Sequence, residues 1–248
     1  DETVGNFALG AVIGRGGMGE VYDAVDTRTG VRAAVKVLYP HAASDRTQVE
    51  RFLREARIAT QLESENVCRV SELGTTASGV PFMAMERLEG EDLADLLRRS
   101  NRLSLDDVVG LVRQIASGLE VARRAGVVHR DIKPRNLFAS TSADGKLIWK
   151  ILDFGVSKPA ESSGTLTQHQ IVGTPRYMAP EQAAGKPVDH RADQFAPAIV
   201  AYRALTGRPA FMGESMPEIL YQVLRSTPPP PSSIANVPRE VDAVLATA

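Results

Sequence analysis

Four glycines lie close together in Ile13-Gly14-Arg15-Gly16-Gly17-Met18-Gly19. A run of this kind lets the backbone close over a phosphate and point N–H groups at it. The plainer reading is a flexible hairpin turn. The residues that follow, Glu20 to Val25, alternate like a strand, so the glycines belong to a β-hairpin and not to a dinucleotide fingerprint, which needs a helix there. Lys36 stands in the apolar strand Ala33-Ala34-Val35-Lys36-Val37, where an ammonium group is costly unless it meets an anion or reaches water at an edge. Glu55 borders the apolar stripe of a helical segment and is a candidate partner; Arg51 and Arg54 are the competing partners. Between two apolar pairs, Val127-Val128 and Leu137-Phe138, the chain packs His129, Arg130, Asp131, Lys133, Arg135 and Asn136. That places a carboxylate, an ammonium and an amide on one short loop.

The elements that must hold these groups follow from periodicity. Phe7 to Ile13, Glu20 to Asp26 and Val31 to Leu38 read as strands, the last two split by the turn Thr27-Arg28-Thr29-Gly30. Val49, Phe52, Leu53, Ala56, Ala59 and Leu62 share one helical face. Val67 to Leu73 and Val80 to Glu86 complete an expected five-strand antiparallel sheet carrying one main helix. Beyond it the pattern becomes helical: Asp92 to Arg99, a long helix capped at Ser104 and ending near Gly126, and an apolar helix from Ala192 to Leu205. Asp144-Gly145 marks a hairpin, Pro228 to Pro231 an extended connector, and Val241 begins a further helix. This is an α+β chain with a β-rich N-lobe (7–86), a joint at 87–90 and an α-rich C-lobe (91–248).

The bulk properties exclude several classes. The 248 residues are 43% hydrophobic, enough for a large core without staples. With 29 basic against 30 acidic residues, binding of nucleic acid or an anionic membrane through bulk charge is ruled out. Cys68 is the only cysteine, so no internal disulfide exists and a reducing compartment, the cytoplasm, is expected. No apolar run is long enough to span a membrane, and the first residues carry no signal-peptide pattern. The missing initiator Met reads as a piece of a longer protein, so a membrane anchor elsewhere stays open.

The stretch His129-Arg130-Asp131-Ile132-Lys133-Pro134-Arg135-Asn136, followed by Asp153-Phe154-Gly155, resembles the eukaryotic-type protein kinases. Gly17-Met18-Gly19-Glu20-Val21-Tyr22 and Met178-Ala179-Pro180-Glu181-Gln182 resemble their bacterial serine/threonine branch. The resemblance runs from residue 7 to about 227 and implies the two-lobed kinase fold, with ATP and Mg²⁺ (or Mn²⁺) as cofactors. It makes Asp131 the base for a substrate hydroxyl, and Lys133 the cation beside the moving phosphoryl group. Lys36, aimed by Glu55, would meet the nucleotide phosphates under the glycine loop (Ile13, Gly14, Arg15, Gly16, Gly17, Met18, Gly19). Asn136 and Asp153 offer the hard oxygen ligands that Mg²⁺ prefers. Val21 and Ala34 would roof the adenine and Phe138 floor it. Met85 would be the gatekeeper, Glu86 to Leu88 the hinge, and Asp92 a ribose contact. Asp193 would hold the catalytic loop through backbone N–H groups.

The same resemblance makes Thr174, with Lys133, a serine/threonine-type substrate anchor. It also suggests phosphorylation on Thr167, or on Thr165, with Arg130 receiving the phosphate. Protein substrates, and a kinase–kinase dimer for autophosphorylation, are the implied partners. The longer gap between Asn136 and Asp153 fits an extended hairpin tip. Two departures stand out. Pro197 interrupts a helix where the family has leucine; were Asp193 the cap, Pro197 would be the fourth residue and only one hydrogen bond would be lost. The arginine that usually pairs with the counterpart of Glu181 is absent from the chain, so the helical lobe is expected to be incomplete. A nucleotide-binding scaffold without transfer is the main alternative, and a small-molecule kinase a third. The presence of Lys36, Glu55, Asp131, Asn136 and Asp153 together favours an enzyme.

Overall fold

The computed structural model describes residues 2–142, 144–154 and 175–247. The chain divides into two compact units, 1–89 and 90–248. The first is β-rich and the second mainly helical.

In the first unit, β1 (Thr3–Val4), β2 (Phe7–Arg15), β3 (Gly19–Asp26), β4 (Arg32–Leu38), β5 (Val70–Thr75) and β6 (Pro81–Glu86) form one antiparallel sheet. Their order is β1-β2-β3-β4-β6-β5. The sheet therefore has six strands and not the expected five. The addition, β1, is only two residues long and has no periodicity to read. Two helices accompany the sheet, α1 (Pro40–Ala43) and α2 (Arg46–Ala59). The Asp45 carboxylate caps α2 by accepting from the N–H of Thr47 at 2.9 Å.

Strand alternation sorts the side chains into two apolar layers. Val35, Phe82 and Ala84 join Val4 and Phe7 on one face. Leu38 and Met83 join Phe52 and Ala56 of α2 on the other. Lys36 stands two residues before Leu38, so it shares the face that α2 covers. Across the ladders Val21 pairs with Lys36, and Ala34 with Met85. Val21, Ala34, Lys36 and Met85 are thereby brought to one face of the sheet.

The second unit starts with β7 (Gly90–Asp92), which pairs with β8 (Leu137–Thr141); β8 pairs in turn with β9 (Leu147–Ile151). Helices α3 (Leu93–Ser100), α4 (Leu105–Arg124), α5 (Pro180–Ala183), α6 (Ala192–Thr206), α7 (Met216–Arg225) and α8 (Glu240–Ala246) make up most of the rest. Ser104 Oγ accepts from the N–H of Asp107 at 3.1 Å at the start of α4, and Gly126 at φ 71° follows its end, as the sequence predicts. Val108, Leu111, Ile115 and Ala122 form the buried stripe of α4, which packs on α6. Helix α6 is apolar on nearly all sides and correspondingly buried. The chain after Pro230 forms a short 3-10 turn (Pro231–Ser233), so the proline connector is not wholly extended. Among the described residues no helix is long and apolar enough to cross a membrane.

Gly110 lies inside α4, and a Cβ there would meet nothing within 4 Å. Gly110→Ala should therefore stabilise the protein by roughly 0.5–1 kcal/mol through lost chain entropy in the unfolded state. A thermal melt checks this: the midpoint should rise by about 1–4 °C. A fall would mean that the helix face is less open than it looks.

Candidate active site

Asp131, Lys133 and Asn136 converge within the second unit. Lys133 Nζ donates to Asp131 Oδ2 at 2.7 Å. Asn136 Nδ2 donates to the Asp131 carbonyl at 2.8 Å and to Asp131 Oδ2 at 3.2 Å. Asn136 thus spends its amide nitrogen on Asp131, which turns its oxygen, the end able to ligate a cation, the other way. The Leu152 N–H donates to the Asn136 carbonyl at 2.8 Å, and that bond brings Asp153 next to Asn136. Among the described residues no three His, Cys, Asp or Glu side chains cluster as a metal cage. One carboxylate and one amide oxygen suit Mg²⁺, which keeps few protein ligands and fills its octahedron with water and phosphate oxygens.

The backbone carrying these groups is strained and held. Arg130 has φ 67° and Asp153 φ 37°, both in the left-handed region that non-glycine residues avoid. Such residues cost on the order of 1–3 kcal/mol each and persist only where their surroundings over-determine them. At Arg130 the determinants are visible. The buried Asp193 carboxylate accepts from the His129 N–H at 2.6 Å and from the Arg130 N–H at 2.9 Å. Gln182 Nε2 donates to the Arg130 carbonyl at 2.8 Å, and its own Oε1 accepts from the Ala179 N–H at 3.0 Å. Gln182 is a positioning residue that sequence reasoning missed. Its trace in the sequence is its place in Met178 to Gln182, which carries the resemblance but does not show what its side chain holds.

Asp193 does not cap α6. Arg191 occupies the cap, Asp193 lies in the first turn, and Pro197 is the sixth helical residue. The expectation that Pro197 sits fourth from an Asp193 cap is corrected accordingly. The lost bond is the one that the Asp193 carbonyl would otherwise accept from residue 197.

His129 is fully buried and packs on Phe154, with ring centroids 4.7 Å apart. Its Nδ1 accepts from the Asp131 N–H at 3.2 Å, so the ring is neutral and Nε2 carries the proton toward the Leu152 carbonyl, 3.2 Å away. Burial holds the imidazole below its ordinary range, against the opposing fields of Asp193, Asp131 and Asp153. The unfolded chain therefore takes up a proton near pH 6.5 that the folded chain refuses until lower pH. Stability from this group is complete above about pH 6.5 and is lost as pH falls, at up to roughly 1.4 kcal/mol per pH unit. The melting temperature of a His129→Gln variant should depend less on pH between 7.5 and 5.5 than that of the parent. Parallel curves would show that His129 is not the responsible group.

In the first unit, β2 and β3 bring Gly14 opposite Val21 and Arg15 opposite Glu20. Arg15 Nε lies 3.1 Å from the Glu20 carboxylate and offsets its charge at the base of the glycine loop. Tyr22 Oη donates to the same carboxylate at 2.7 Å, which, with partial burial, pushes the phenol up to about 12. A Cβ on Gly19 would lie 2.1 Å from the Val37 carbonyl, so only glycine fits there. Glu55 is buried beside Phe52 and Ala56, with Arg51 Nε at 3.2 Å. Arg51, one of the two competing partners, is thus paired with Glu55, but on a buried carboxylate and not on a solvated one.

At the joint, the Glu86 N–H donates to the Arg69 carbonyl at 2.9 Å, and Arg87 Nε donates to Asp23 at 2.8 Å. Leu88 is buried, and its carbonyl accepts from Arg87. Phe138 is half-buried on β8, opposite Asp92. Asp92 caps α3 through the Asp95 N–H at 2.9 Å and pairs with Arg135 at 2.8 Å. These structural bonds explain its placement without a ligand. Thr165, Thr167 and Thr174 lie outside the described residues.

The protein kinase domain pattern matches residues 7–241. The probable serine/threonine-protein kinase PknB of Bifidobacterium longum is 37% identical over 98% of this chain, which spans 36% of that protein. Serine/threonine-protein kinase pkn3 of Myxococcus xanthus is 38% identical over 94% of this chain and 44% of its own length. The solved kinase domain of Mycobacterium tuberculosis PknI, as a double mutant, superposes with a TM-score of 0.75 at 26% identity, covering 99% of this chain and 87% of that one. The chain spans less than half the length of the first of these curated relatives.

Proposed function

Because this chain belongs to the protein kinase domain family, we propose that it transfers the terminal phosphoryl group of ATP to serine and threonine hydroxyls of protein substrates. The observation that carries this reading is the bonded set Asp131, Lys133 and Asn136 on a backbone held by Asp193. Members of this family use ATP with a divalent metal ion; Mg²⁺ is our assignment, and Mn²⁺ is its nearest substitute. Bound ATP supplies the phosphoryl group, and its metal ion neutralises phosphate charge.

The chain's own residues do the rest. Asp131 Oδ2 is held by two donors, Lys133 Nζ and Asn136 Nδ2, so the carboxylate is aimed before the hydroxyl arrives and accepts its proton. Lys133 stays beside Asp131 and faces the charge that develops on the transferred group. Asn136 Oδ1 and Asp153 would hold the metal ion. In the first unit the glycine loop would present N–H groups to the phosphates, and Lys36 would meet them as a cation, aimed by Glu55. Val21, Ala34 and Met85 would line the adenine, with Phe138 and the backbone of residues 86–88, and Asp92 would meet the ribose. Thr174 would anchor the acceptor. Thr167 or Thr165 would be phosphorylated, with Arg130 receiving the phosphate, and two copies of the chain would phosphorylate one another. An ATP-dependent domain of this kind belongs on the cytoplasmic side of any membrane.

Incubation with γ-labelled ATP, Mg²⁺ and a generic basic protein tests the activity; label on serine or threonine is expected, and none at all would leave a scaffold. In the same assay Lys36→Met and Glu55→Ala should each lower turnover, with the double variant no worse than the worse single one. Additive losses would show that the two side chains do not act as a pair.

A further inference from the structure

The glycine loop is attached at a point that its glycines do not explain. Met18, between Gly17 and Gly19, is half-buried, and its side chain packs on the apolar cluster of Leu38, Phe52, Ala56 and Met83. Its carbonyl accepts from the Tyr39 N–H at 2.9 Å. Tyr39 rests on the same cluster and stacks on His41 at 5.3 Å. The loop is therefore unequal along its length. A Cβ on Gly17 would meet nothing within 4 Å, whereas one on Gly19 would strike the Val37 carbonyl at 2.1 Å. The Gly16 N–H donates to the Gly19 carbonyl at 2.9 Å, so the open half hangs from the fixed half. Phe52 and Ala56, members of the cluster that Met18 packs on, flank Glu55 on α2.

We propose that Met18 is a positioning residue whose side chain clamps the glycine loop to the apolar cluster shared with α2. A mobile glycine-rich loop loses conformational entropy when it orders around a ligand, and a loop already fixed at one point loses less. Methionine suits the task because its unbranched, flexible side chain fills an irregular gap. The clamp sets the affinity for the nucleotide and leaves the transfer step, made by Asp131, untouched. This inference rests on the reading of the loop as the phosphate-binding element.

The test compares Met18→Ala and Met18→Leu with the parent in two measurements. The first is amide hydrogen exchange at Tyr39 and Gly16 without nucleotide. The second is KM for ATP against kcat. In Met18→Ala, exchange at Tyr39 should quicken by about tenfold, and KM should rise by about 3–10-fold with kcat within about 2-fold. Met18→Leu should stay near the parent in both. Unchanged exchange at Tyr39 in Met18→Ala overturns the clamp, whatever KM does. Faster exchange with unchanged KM, in a parent that uses ATP, overturns the link to nucleotide affinity. Faster exchange in a protein whose parent neither binds nor uses ATP supports the clamp and refutes the kinase reading instead.

Discussion

Asp131→Asn is expected to lower phosphoryl transfer by about 10²–10⁴-fold while leaving the affinity for ATP nearly unchanged. That loss corresponds to roughly 3–5 kcal/mol of transition-state stabilisation. The substitution keeps the size and shape of the side chain, and an amide oxygen can still accept from Lys133 Nζ and Asn136 Nδ2. It removes the ability to take a proton. Because those two donors hold the carboxylate at 2.7 and 3.2 Å, the variant should melt close to the parent. The loss should then fall on kcat, since the carboxylate acts on the acceptor hydroxyl. The measurement is kcat at saturating ATP, alongside a direct binding titration. Full turnover in the variant would remove Asp131 from the chemistry, and a comparable loss of ATP affinity would move it to nucleotide binding.

Asp193→Ala should damage both stability and turnover, although Asp193 touches no reacting atom. Its buried carboxylate accepts two backbone N–H groups, at 2.6 and 2.9 Å, in a segment that contains the strained Arg130. Truncation leaves both donors without that partner, at about 1–3 kcal/mol for each buried group. The melting temperature should fall by on the order of 10 °C. With one of its two restraints gone, Arg130 can relax out of its positive φ and carry Asp131 with it. A displacement of about 1 Å can cost on the order of 10² in rate. So kcat should fall well below the parent's even at temperatures where the variant is fully folded. Asp193→Asn, which keeps one acceptor oxygen, should lie between the two. A variant that melts lower but turns over normally would make Asp193 a stabilising residue only.

Much of the fold was legible because its causes are local. Segments rich in Val, Ile and Ala marked β2 to β4, and Thr27 to Gly30 marked the turn before β4. The apolar stripe from Val49 to Ala59 marked α2, and Ser104 with Gly126 bracketed α4. The elements that escaped were those with little local signal. Strand β1 has two residues and β7 has three, too few for any period, and each exists because a neighbouring strand pairs with it. Helix α7 does carry local signals, the Ser215 cap, Pro217, and Ile219 and Val223 four apart.

The site divides the same way. Residue type and spacing alone determined the glycine loop, the lysine in an apolar strand, and the loop holding Asp131, Lys133 and Asn136. Each is a short chain segment whose chemistry travels with its sequence. The tertiary structure alone decided what holds them. Gln182 reaches the Arg130 carbonyl from 52 residues away, and Asp193 reaches two amides from 63 and 64 residues away. Only folding shows that Asp193 lies inside the first turn of α6 and not at its cap, or that Met18 turns its side chain into the core. These bonds join segments remote along the chain, so no periodicity or propensity encodes them; they exist because packed helices and strands bring the partners within about 3 Å of one another.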